Sequence, residues 1–240
     1  MTLYADANYP VPAPIDALHA DEIRSFATVG TWGTAAQRTA VAATARKIRC
    51  AAGIQESIGD EALCEAVALS PAVKQLTEAV ALGGVGIDRE FCREAQAAGV
   101  TEGAYVEIVS VVSRIVNLDV FARGVGVPAR ALHAPDDDAA TSFERPHEAA
   151  DVGFYTASVP NAPAGGALAD SLYGGMHAGN ILRAVSLVPG EARRVIKLVG
   201  TQYFTGDQLL DFAHESDHAL SRAQIELVAT KVSEHNRCFY

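Results

Sequence analysis

Glu226 and Cys238 stand twelve positions apart near the C-terminal end of the sequence, amid its densest set of local signals. A thiolate is a nucleophile and a carboxylate can hold or pass its proton, so the pair suits thiol chemistry. Ser221 and Gln224 form a capping box that starts a helix, with Leu220 and Ile225 placed as a hydrophobic staple. Ile225, Val228, Ala229 and Val232 then recur at spacings of three and four, which makes one apolar face. Asn236 reads as a stop and restart. As an N-cap it would put Cys238 in the first turn of a new helix, where the dipole, free N–H groups and Arg237 favour the thiolate. The plainer reading of the same cysteine is a small buried thiol. A straight helix would separate Glu226 from Cys238 by about 18 Å of rise, so any communication between them needs the break at Asn236.

Other residues offer less. Cys64 and Cys92 sit in apolar helical context and read as core fillers. His177, in Gly174-Gly-Met-His-Ala-Gly179, is a loop histidine or a pocket-facing one. His214 and His218 lie at i, i+4 with Asp211, Glu215 and Asp217 nearby. No third strong ligand and no His-Glu-x-x-His pattern accompanies them, so no metal is expected. His235 precedes Cys238 by three and could raise its thiolate content.

The elements that must position these groups read as helices. Ser70-Pro71 is an N-cap followed by proline at the first helical position. Pro189-Gly190-Glu191 starts another helix, with its acid in the first turn. Residues 104–121 are rich in Val and Ile, but the run is too long for a strand of ~5–6 residues. Glu107, Arg114, Asn117 and Asp119 argue against a bilayer span there, so a buried helix is expected. No βαβ alternation is visible, and the fold class is all-α. Proline, glycine and the acidic run Asp136-Asp137-Asp138 mark 133–166 as an irregular linker between residues 1–132 and 167–240.

Composition narrows the function classes. Hydrophobic residues make up 49% and charged residues 20%, enough for a substantial core. Asp and Glu total 29 against 19 Lys and Arg, a net charge of −10 that repels phosphate backbones and anionic lipids. No nucleic-acid or membrane partner is expected. Four cysteines are too few for a disulfide scaffold and suggest a reducing compartment. The first residues show no basic n-region or apolar h-region, so a cytoplasmic location is expected.

The string Leu220-Ser221…Glu226-Leu-Val-Ala…Val232-Ser233…Asn236-Arg-Cys238-Phe-Tyr240 resembles the active-site segment of the alkylhydroperoxidase D-like and carboxymuconolactone decarboxylase-like family. Gly179-Asn180-Ile181-Leu182-Arg183-Ala184…Pro189 is similar to the helix before that site, so the likeness covers about 169–240. Gln37-Arg38 to Arg49-Cys50 repeats the twelve-residue frame, with Arg38 where Glu226 stands, and 1–132 looks like a degenerate copy. The resemblance implies a helical bundle of two related halves, the second incomplete. It implies a thiol- or selenol-based peroxidase or disulfide oxidoreductase, with Cys238 as resolving thiol and Glu226 as proton relay. Neither metal nor flavin is implied. The implied partners are a small peroxide, a dithiol reductant of the lipoyl or thioredoxin kind, and further copies in a homo-oligomer.

The family's peroxide-attacking second cysteine would follow Tyr240, with a relay histidine four positions later. A selenocysteine codon, UGA, at position 241 is one expectation for that place, and the chain as it stands is expected to be inactive. Two alternatives come from other classes. One is a carboxymuconolactone decarboxylase-like lyase or isomerase, which uses no thiol pair. The other is a non-catalytic module for ligand binding or oligomerisation.

Overall fold

Small side chains decide how closely the first helices approach. Ala35, Ala40, Ala42, Ala43 and Ala45 are fully buried along one helix, so its neighbours pack close against its backbone. The computed structural model describes residues 2–136, 139–215, 219–236 and 238. In chain order its α-helices are α1 (Ala13–Ser25), α2 (Ala35–Ala51), α3 (Pro71–Ala81), α4 (Arg89–Ala97), α5 (Glu102–Gly124), α6 (Gly166–Tyr173), α7 (Asn180–Arg183), α8 (Pro189–Gln202), α9 (Gly206–Leu210) and α10 (Arg222–His235). A 3-10 helix spans Glu61–Glu65. Among the described residues there is no strand, only an isolated antiparallel bridge between Ala150 and Ser158. The class is all-α, as expected.

Local chemistry explains the boundaries. Ser70 caps α3 by accepting from the Val73 N–H at 3.3 Å, with Pro71 in its first turn. Thr34, Thr205 and Ser221 each form a capping box, with Gln37, Gln208 and Gln224 respectively. The Val- and Ile-rich run is α5, 23 residues long, capped by Thr101. Burial overrides its β-branched propensity: Val106, Val111, Val112 and Ile115 sit in the core.

The main core gathers α2, α3 and α5 around Leu76, Val112, Ile115 and Leu118, with Phe26 and Leu198 joining it. A second cluster holds Val159, Ala169, Leu172, Tyr173 and Ala192. A third joins Val106 of α5 to Ala157, Leu187 and Val188. Through Ala192 and Leu198, α8 belongs to two clusters at once. Beyond it the packing thins. No residue of α9 or α10 is buried. The helix expected after Ser221 forms, but Leu227, Val228 and Val232 on it are each more than half exposed. Among the described residues no helix is long and apolar enough to cross a membrane.

Candidate functional site

Arg222 fixes the start of α10. Its guanidinium donates to the carbonyls of Gln208, Leu209 and Asp211 at 2.6–3.0 Å and lies over the Phe204 ring at 5.0 Å. One turn later Glu226 accepts from the Tyr203 hydroxyl at 2.6 Å, and Arg222 approaches its other oxygen at 3.5 Å. Burial, with Glu226 beside it, pushes Tyr203 up to about 12, so the phenol stays a proton donor. Glu226 remains 43% exposed.

Asn236 is the C-cap of α10, with φ −80° and ψ 1°, and not the N-cap of a following helix. An N-cap needs extended backbone; here Ser233-Glu-His continues the helix one turn further. Cys238 therefore follows the negative end of a helix, the reverse of the expected arrangement. Its N–H donates back to the Ser233 carbonyl at 2.9 Å, and its side chain is exposed. Ser233 lies seven residues after Glu226, on the same stripe and about 10 Å along the axis. Glu226 thus stands in the first turns of α10 and Cys238 just past its C-terminal end, and the two do not share a turn. Arg237, Phe239, Tyr240, Asp217 and His218 lie outside the described residues. His177 is exposed, with Nε2 at 3.4 Å from Asn161. Cys92 is buried, while Cys50 and Cys64 are half-buried. Arg38 and Cys50 share the unbroken helix α2, at opposite ends.

A second constellation is far more deeply built. Glu191, in the first turn of α8, accepts from Arg38 at 2.8 Å, from Arg114 at 2.6 Å and from Ser110 at 2.7 Å. Arg38 also pairs with Glu107 at 2.6 Å, and Arg114 with Glu22. Arg194 reaches the other oxygen of Glu22 at 3.1 Å. Three guanidinium groups thus face three carboxylates inside the junction of α1, α2, α5 and α8. Burial alone would raise Glu191, but Arg114 and Arg38 reverse this and hold it at about 2. Burial alone would lower Arg38, yet Glu191 and Glu107 keep it above its usual range.

The loop before α2 closes over this network. The backbone N–H groups of Trp32 and Gly33 donate to Glu107 at 2.9 and 3.3 Å. Gly30 lies so close to Glu107 and Arg38 that a Cβ there would overlap both. A Cβ on Gly103 would likewise overlap the Trp32 indole, which rests against α5 and meets Phe143 edge-on at 5.6 Å. Beside Trp32 and Arg38 is a cavity of about 310 Å³, between α2, α3 and α5.

Glu22, Glu107, Arg114, Glu191 and Trp32 were not expected as site residues. A signal existed: Glu107 and Arg114 are charges seven apart inside an apolar run, on one helical face. What they face was not legible. Compared with family models, curated proteins and solved structures, the chain matches none of them.

Proposed function

We propose that the chain is a thiol- or selenol-based peroxidase or disulfide oxidoreductase of the alkylhydroperoxidase D-like kind, with two related halves and its chemistry in the second. The observation that carries the reading is the held carboxylate: Glu226 accepts from a protonated Tyr203 at 2.6 Å, on the helix after whose end the Cys238 N–H turns back to the Ser233 carbonyl.

The resemblance supplies the rest of the reaction. A cysteine thiol or selenol three residues after Cys238 gives its proton to Glu226 and attacks the peroxide as thiolate or selenolate; the O–O bond breaks, and Glu226 passes that proton to the departing alkoxide. Cys238 as thiolate then attacks the resulting sulfenic or selenenic acid. A disulfide or selenylsulfide forms, and the departing hydroxide takes the proton that Cys238 gave to Glu226 and leaves as water. An external dithiol reopens the bond by two exchange steps.

The test compares four proteins with hydroperoxide and a dithiol reductant. The 240-residue chain is expected to give no turnover. Extension with Cys at position 241 and the downstream His restores it, and Glu226→Gln in the extended protein reduces it about a hundredfold. Undiminished turnover after Cys238→Ser would overturn the assignment.

A further inference from the structure

We infer that the cavity between α2, α3 and α5 is a binding site for a small, neutral, mainly apolar molecule carrying one hydrogen-bond-accepting oxygen, such as an alcohol or a ketone. The inference is independent of Glu226 on α10 and of Cys238 just beyond it.

Size and lining set the apolar part. The cavity measures about 310 Å³, at the lower end of the ~300–1,000 Å³ typical of ligand pockets. Val41, Leu69, Val100, Ile108 and Val111 line its depth and are all buried. Gln37, Ser70 and Gly99 line its exposed rim.

Unused donors set the polar part. Arg38 is 4% exposed, and its Nε has no hydrogen-bond partner although both terminal nitrogens are engaged. The indole Nε1 of Trp32 is also buried without an acceptor. Both residues belong to the cavity wall. Leaving such a donor unpaired costs ~1–3 kcal/mol, so an oxygen brought within reach of either recovers real binding energy. The first turns of α2, α3 and α5 also converge here, through Gln37, Ser70 with Val73, and Ala104. Helix N-termini favour partial negative charge.

Charge balance selects a neutral head over an anion. Arg38 is already matched by Glu107 and Glu191, and Glu107 itself lines the cavity. No cation in the wall is left over for a carboxylate, which would meet Glu107 as a like charge.

Trp32 is the only tryptophan in the sequence, so its fluorescence reports on this wall alone. The full chain is titrated with heptanol, heptanoate and heptane, following Trp32 emission and melting temperature. Heptanol is expected to shift the emission saturably and raise the melting temperature; heptanoate does neither, and heptane acts at least fivefold more weakly than heptanol. Trp32→Phe, followed by melting, weakens heptanol about fivefold through loss of the N–H. Ala104→Leu, which fills the cavity, abolishes both responses; Val73→Leu serves if that protein does not fold. Non-saturable heptanol effects, equal binding of heptanoate, or a full response in a folded cavity-filled variant would each refute the site.

Discussion

Arg38 of α2 and Glu191 of α8 meet at 2.8 Å, 153 positions apart in sequence, where both side chains are all but sealed from water. Each also serves a second partner: Glu107 for Arg38 and Arg114 for Glu191. Removing one member therefore strands a charge.

Glu191→Gln keeps the shape and removes the charge, leaving Arg38 and Arg114 under-compensated. It is expected to lower unfolding stability by roughly 3 kcal/mol, the scale of a broken buried pair. Lys231→Ala, which removes an exposed pair with Glu234, should cost under about 0.5 kcal/mol. Urea denaturation of the two variants reads the contrast, and equal losses would contradict it.

Acid should destabilise the fold in two stages. His19 is buried between the Tyr4 hydroxyl at 2.8 Å and Gln202 at 2.5 Å. Burial lowers it from 6.5 to about 4, with Asp16 opposing. The unfolded chain then binds the proton first, so stability present above pH 6.5 is lost as pH falls toward 4, on the order of 2 kcal/mol. Glu191, depressed from 4.5 to about 2, adds a second loss between those values. His19→Gln should flatten the first stage in denaturation curves measured from pH 7 to 4.

Gly103→Ala places a methyl where the Trp32 ring lies. The indole must leave its seat against α5, at about 1–3 kcal/mol for overpacking. Its emission should move to longer wavelength as the ring becomes wetter. An unchanged spectrum would mean that the ring does not depend on that glycine.

Thiol labelling should be ordered by burial. Cys238 is exposed, whereas Cys92 is buried and its thiol is pushed up by that burial. Burial and Glu61 likewise push up Cys50. Brief treatment of the native protein with an alkylating reagent should modify Cys238 first, with Cys92 reacting only on denaturation. Peptide mapping by mass spectrometry identifies the sites.

What could be read in advance was what is local. Ser70-Pro71, Ser221 with Gln224, and the length of α5 are short-range signals, and each element forms where those residues put it. Asn236 shows the limit of such signals, because asparagine serves either end of a helix and only the backbone around it decides. Glu191 was legible as an acid in a first turn, but its partners come from α2 and α5, and nothing near position 191 announces them. The Gly103–Trp32 seat is similar: each residue is ordinary alone, and the relation exists only once α5 and the loop before α2 are packed.

The charged junction also fixes where α8 can sit. Apolar helix faces tolerate sliding, since one aliphatic contact replaces another at little loss. A slip of α8 by a single turn, about 5.4 Å, would carry Glu191 away from both guanidinium groups. The junction works as a key that admits one register of α8 and rejects its neighbours.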